Sequence, residues 1–166
     1  AGAEAVAAAK ASDPKHEIRA LSVSGNGPTL LAADSSGKPL GPALSWLDRR
    51  ATIEAKEVSA LAVRIIDPSF FLPKALHIWR GADDKLRKRI RWFFSCPEYL
   101  VYALSGEALT YLPHHGYEPY IWNDSLLTGL GLPRDRFPPF AEPATIAGKL
   151  LPKPAGRLGL FPGIPI

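Results

Sequence analysis

Ile18-Arg19-Ala20-Leu21-Ser22-Val23-Ser24-Gly25-Asn26-Gly27-Pro28 opens the stretch whose reading decides the fold. Thr29-Leu30-Leu31-Ala32-Ala33, Asp34-Ser35-Ser36-Gly37-Lys38-Pro39 and Ala43-Leu44-Ser45-Trp46-Leu47-Asp48-Arg49-Arg50 complete it. The pattern predicts a strand over residues 18–24, a turn over 25–28, a second strand over 29–33 and a polar turn over 34–39. Pro42 to Trp46 reads as a short extended run. Trp46, Asp48, Arg49 and Arg50 then bring a ring, a carboxylate and two guanidiniums together at its exit. A sugar or polyol has apolar C–H faces and polar edges, so an aromatic face beside a carboxylate suits it. The blander readings are a core ring for Trp46 and a helix N-cap for Asp48.

Before this stretch, Ala3 to Ala11 consists of strong helix formers, and Asp13-Pro14 stops them. After it, Arg49 to Arg64 reads as a helix with Ile53, Val58, Leu61 and Ile65 on one apolar face. Leu72 to Arg80 and Asp83 to Phe94 follow as helices, the second with Leu86, Ile90, Phe93 and Phe94 on one side. Pro97 to Leu104 is a helix closed by Ser105-Gly106. Glu107 to Tyr111 is a short strand, and Asn123 to Leu130 a helix ended by Gly131. The remainder is rich in proline, with a strand over Thr145 to Leu150 and a helical turn near Pro154 to Leu158. Few strands followed by several helices make an α/β architecture.

The 166 residues contain 20 basic and 16 acidic groups, for a net charge of +4. That excess favours anionic partners only weakly. The single cysteine, Cys96, excludes an internal disulfide and suits a reducing cytoplasm. No apolar run approaches the roughly 18 residues of a membrane-spanning helix. The Ala-rich start lacks a basic leader and reads as a helix, not a signal peptide. Both ends suggest a piece of a longer protein, since residue 1 already lies inside a helical pattern and Gly163-Ile164-Pro165-Ile166 reads as entry into a strand.

Other candidates fall to plainer readings. Ser24-Gly25-Asn26-Gly27-Pro28 has Leu30 where a dinucleotide loop needs its third glycine, and it lacks the Gly-Lys-Ser/Thr of a Walker loop. It is a turn, although Asn26 stands at a strand end where α/β sheets often place ligands. Lys85-Leu86-Arg87-Lys88-Arg89-Ile90-Arg91-Trp92 has the composition of a nucleic-acid surface, but its apolar residues are needed for the core, which leaves a solvated helix face. His114-His115 with Glu118 lacks the spacing of a metal site. Cys96 at a helix start has no placed histidine base, and His77 reads as packing on its own helix.

The segments above, in this order, resemble the FGGY carbohydrate kinase family of xylulose, glycerol, ribulose and fuculose kinases. Leu72-Pro73-Lys74-Ala75-Leu76, Glu98-Tyr99-Leu100-Val101-Tyr102-Ala103-Leu104-Ser105-Gly106-Glu107 and Leu127-Thr128-Gly129-Leu130-Gly131-Leu132-Pro133 extend the resemblance along nearly the whole chain. It implies an actin-like, ribonuclease-H-like ATPase fold of two domains with a cleft between them. Residues 1–166 correspond to the latter part of the amino-terminal, sugar-binding domain, and the ATP-binding domain is absent.

The resemblance further implies a cytoplasmic, ATP-dependent kinase of a sugar or polyol, with a ketopentose such as xylulose foremost. Trp46 would line the sugar pocket, with Asp48 and Asn26 beside it. No catalytic residue falls within the chain, because the general-base Asp is expected beyond Ile166. ATP and Mg2+ would serve the full-length enzyme, with neither bound by this segment. The implied partner is a small sugar or polyol, not nucleic acid or membrane, and a homodimer is compatible with it. Three departures stand out. Gly27-Pro28 replaces the Met-His-Gly of xylulose-type members and the Arg-Glu of glycerol-type members. Tyr111 stands where many members carry Asp. Trp79 lies two positions beyond the usual Trp. A non-catalytic sugar-binding homologue is the first rival, and a nucleic-acid module using Lys85 to Arg91 the second.

Overall fold

The computed structural model describes residues 2–12, 17–112, 116–142 and 144–166. At its centre β1 (Leu30–Ala33) pairs antiparallel with β2 (Trp92–Ser95), in the register Leu30 opposite Ser95 and Ala33 opposite Trp92. All four β1 residues are buried, so both faces of this two-stranded sheet are covered. Successive side chains point to opposite faces. Leu30, Ala32 and Phe93 therefore join one core with Val58, Leu72 and Leu76. Leu31, Ala33 and Phe94 join another against Tyr99 and Tyr102.

The turn after β1 follows from its sequence. Asp34 Oδ1 accepts the backbone N–H groups of Ser36 at 2.9 Å and Lys38 at 3.0 Å. Gly37 has φ +79°, and a Cβ there would come within 2.5 Å of the Tyr102 ring. Only glycine satisfies both the conformation and the space.

Among the described residues the helices are α1 (Gly2–Ser12), α2 (Thr52–Ala62), α3 (Phe71–Gly81), α4 (Asp84–Arg89), α5 (Cys96–Ser105), α6 (Glu118–Ile121), α7 (Asp124–Gly129) and α8 (Pro152–Leu158), with a 3-10 turn over Arg134–Arg136. Helix α3 packs on β1 and on α2. Arg80 of α3 grips Glu57 of α2 through two 2.7 Å bonds, and His77 Nδ1 lies 3.1 Å from Glu54 Oε1. Helix α5 starts on a capping box: the Ser95 N–H donates to Glu98 Oε2 at 2.6 Å and the Glu98 N–H to Ser95 Oγ at 3.5 Å. A short parallel pair, β3 (Thr110–Tyr111) with β4 (Phe140–Ala141), ties the later part of the chain together. Among the described residues no helix is long and apolar enough to cross a membrane.

The structure corrects four expectations. The helix expected over Asp83 to Phe94 stops at Arg89, and Trp92 to Ser95 form β2. A run that buries Phe93 on one face and Phe94 on the other is a doubly covered strand, and its aromatic content favours that state. Residues 18–24 form no ladder strand. Leu21 N–H donates to Pro165 O at 2.9 Å, and no neighbouring run of described residues completes a sheet with them. The strand expected over Thr145 to Leu150 is reduced to an irregular pairing of residues 147–150 with 163–166, with a bridge between Lys149 and Pro165. The apolar face expected on α2 also fails. Val58 is buried, while Ile53, Leu61 and Ile65 are exposed and Ala51, Glu54 and Ala55 take the inward positions. Asp13-Pro14 and His114-His115 lie outside the described residues.

Candidate functional site

The turn at Gly25–Pro28 and the run Leu44–Trp46 meet beside the start of β1. Leu30 and Leu44 exchange backbone hydrogen bonds of 3.0 and 2.8 Å, which lays the second segment along the first. Trp46 then crosses the turn. A Cβ at Gly27, where φ is +42°, would stand 3.0 Å from Trp46 Cβ and 3.4 Å from its Cγ. Trp46 retains 47% exposure, so much of it is open to solvent. The core reading of Trp46 does not hold.

Asp48 is not a helix N-cap, since α2 begins at Thr52 with Ala51 in the cap position. Its carboxylate turns onto Arg50 instead. Oδ1 accepts from the Arg50 backbone N–H at 3.1 Å and from Nε at 3.0 Å, while Oδ2 lies 2.9 Å from Nη2. Burial pushes the Asp48 carboxyl up. The Arg50 hydrogen bonds and the charges of Arg50 and Lys74 outweigh that push and hold it below the usual carboxylate value. It is therefore an anionic acceptor at neutral pH. Asn26 is exposed on the turn, and its carbonyl accepts from Thr29 Oγ1 at 3.1 Å.

Two further charged groups complete this corner, and the sequence did not single them out. Asp67 Oδ2 receives Arg49 Nη2 at 2.8 Å, and its Oδ1 receives the Ser69 N–H at 2.9 Å. Lys74, on α3, is fully buried. Its ammonium donates to Pro28 O at 2.6 Å and to Ser45 O at 2.7 Å. Burial pushes Lys74 below the usual lysine value, and the charges of Asp48 and Asp67 oppose that shift.

The same turn borders a cavity of about 310 Å³. Its walls include Gly27, Pro28, Phe70, Phe71, Tyr117 and Trp122, whereas Trp46, Asp48 and Asn26 are not among its lining residues. Trp46 is thus exposed outside this cavity, while the Asp48 side chain, 14% exposed, is turned onto Arg50. Sequence spacing could not signal this cavity, because Phe70 and Phe71 come from the start of α3 and Tyr117 and Trp122 flank α6. Glu98 also reaches it, and burial pushes its carboxyl up against hydrogen bonds from Ser95 and Thr110.

The basic run at Lys85 to Arg91 divides. Arg87 Nε donates to Trp79 O at 2.9 Å, and the Arg91 guanidinium lies 3.6 Å from the centre of the Trp92 ring. Lys85, Lys88 and Arg89 are exposed. Cys96 is the half-buried first residue of α5.

Residues 3–166 match the FGGY family of carbohydrate kinases, N-terminal domain. The chain belongs to this family. It is similar to xylulose kinase from Escherichia coli (strain K12), with 27% identity over 159 residues that cover 87% of this chain and 32% of that protein. Its backbone matches a solved xyloylose kinase from Brucella ovis with a TM-score of 0.78 at 25% identity, over 96% of this chain and 36% of that one. It matches Plasmodium falciparum glycerol kinase, solved with ADP, with a TM-score of 0.81 at 15% identity over 99% of this chain and 36% of that one. The architecture is thus that of the FGGY sugar kinases, the actin-like ATPase fold, and the chain spans about a third of the length of these relatives. Within the FGGY frame, the departure at Gly27-Pro28 has a physical counterpart: the space a side chain at residue 27 would need is taken by Trp46.

Proposed function

We propose that this chain forms one wall of the substrate cleft of an ATP-dependent sugar or polyol kinase, with a ketopentose such as xylulose foremost. The observation that carries this reading is the half-exposed Trp46, against Gly27 and two residues before the ionised carboxylate of Asp48, in a chain matching the N-terminal domain of carbohydrate kinases. The indole face offers an apolar platform for the C–H side of a sugar. Asp48 and Asn26 supply polar contacts for its hydroxyls. These residues bind and orient the acceptor and carry no bond-making step.

Phosphoryl transfer requires a base for the acceptor hydroxyl and a nucleotide held in line with it, and positioning with charge stabilisation supplies most of the rate. We place both outside residues 1–166, with ATP and Mg2+ bound there. Closure of two domains over the cleft would exclude water. The chain by itself therefore phosphorylates nothing.

The test is ATP-dependent phosphorylation of a panel of ketoses and polyols by the complete protein, beside the isolated chain. Turnover of a ketose by the complete protein and none by the chain is expected. A complete protein that binds a sugar through Trp46 yet transfers no phosphate would favour the non-catalytic homologue. That alternative is suggested by Gly27-Pro28, which offers no hydrogen-bonding side chain to a hydroxyl.

A further inference from the structure

We infer that Lys74 is a positioning residue: its buried ammonium clamps the turn carrying Asn26 and Gly27 to the run carrying Trp46, and so sets the wall proposed above for the sugar. The inference rests on that proposal for its functional consequence and on geometry for the clamp itself.

A lysine ammonium has three donors and no acceptor. In Lys74, with no exposed surface, one donor meets Pro28 O at 2.6 Å and another Ser45 O at 2.7 Å. The two carbonyls are 46 and 29 residues away in sequence. Each sits beside a residue of the candidate wall, Pro28 after Gly27 and Ser45 before Trp46. A buried lysine is costly unless its charge is compensated. Here the compensation is two short carbonyl bonds and the charges of Asp48 and Asp67. An apolar side chain of the same length would fill the volume at lower cost, but it would take this donor from Pro28 O and leave Ser45 O with the Asp48 N–H alone, at 2.9 Å. The lysine therefore does more than pack.

The close approach of the two segments is held by this contact together with the Leu30–Leu44 backbone pair. With both carbonyls drawn to one nitrogen, the turn and the Trp46 run lie so near that a Cβ at Gly27 would meet Trp46 Cβ at 3.0 Å. Lys74 also lies on α3, immediately after Pro73 and close to Phe70 and Phe71, which line the aromatic cavity. The start of α3 thus bonds Pro28 through Lys74 and lines the adjoining cavity through Phe71 and Leu72. The ammonium is enclosed by protein and cannot touch a sugar, so it acts through Trp46 and the turn.

The experiment replaces Lys74 with methionine in the protein, with and without Trp46→Phe, so that the difference isolates the Trp46 signal. In Lys74→Met, Trp46 emission is expected to shift to the red and to become more accessible to iodide. Trp122, buried in the main core, keeps its signal and reports an intact fold. The KM for the sugar is expected to rise on the order of tenfold to a hundredfold, the cost of a small misplacement, while the KM for ATP stays. A folded Lys74→Met protein with unchanged Trp46 emission and quenching overturns the clamp.

Should that variant not fold, the parent protein labelled with 15N-lysine carries the test. One ammonium resonance protected from solvent exchange is expected, and a spectrum of fast-exchanging lysines alone overturns the clamp. The two proposals fail separately. Trp46 freed by Lys74→Met in a protein that binds no sugar upholds the clamp and removes the sugar wall. Sugar binding that is tight, Trp46-dependent and indifferent to Lys74→Met keeps the wall and removes the clamp.

Discussion

Gly27 lies directly against Trp46, with φ at +42° and room for a Cβ only 3.0 Å from Trp46 Cβ. Two demands coincide at this residue, a left-handed backbone and a bare face. Gly27→Ala meets neither. It is expected to destabilise by about 1–2 kcal/mol, the cost of a left-handed non-glycine residue, and to displace the indole. Urea denaturation together with Trp46 emission checks both effects, and an alanine variant with native stability and emission would refute the packing described.

Trp46→Ala tests the proposed wall. The ring is half exposed, so its loss should leave the melting transition nearly unchanged. The KM for the sugar should rise about tenfold, equivalent to ~1.4 kcal/mol, with the KM for ATP unaltered. Steady-state kinetics with each substrate varied in turn decides this.

Val63 ends α2 in the left-handed region, with φ 51° and 90% exposure. A β-branched residue is poorly suited to that conformation, and glycine is the usual occupant of such a helix end. Val63→Gly is expected to stabilise the protein by roughly 1 kcal/mol. A denaturation midpoint that falls would contradict the strain.

Glu98 gives a pH dependence with a definite sign. Burial raises its folded-state pKa above the ordinary 4.5. Between those two values the folded protein holds a proton that the unfolded chain has released, so stability falls as pH rises through this window. The contribution is fully present below 4.5 and is lost above the raised value. Glu98→Gln keeps the acceptor of the capping box and removes the charge. Its stability should therefore vary less with pH than that of the parent across this range, as measured by urea midpoints at a series of pH values.

Local chemistry made much of the fold readable. Asp34 and Gly37 specify their turn without outside help, Ser95 and Glu98 announce the start of α5, and Asn123 caps α7 through the Leu126 N–H at 2.8 Å. What escaped was decided between distant segments. Ile90, Phe93 and Phe94 satisfy a helical spacing, yet the hydrogen-bonding edge of Leu30–Ala33 claims residues 92–95 as its partner. Ile53, Leu61 and Ile65 satisfy one too, but α3 meets α2 on the side of Glu54, Ala55 and Val58. At the site, the nearness of Trp46, Asp48 and Arg50 in sequence was legible, and the Asp48–Arg50 pair follows from it. Lys74 was visible only as a family match, because its partners are main-chain carbonyls, which leave no trace in residue identity.

The bond from Leu21 to Pro165, with Lys10 Nζ reaching Gly159 O at 2.6 Å, has a bearing on biosynthesis. A ribosome releases the alanine-rich start long before residues 159 and 165 exist. Residues 2–12 and Leu21 must therefore wait for these partners until residues 159 and 165 have emerged. The alanines of residues 2–12 suit that interval, since they offer little sticky surface to passing chains.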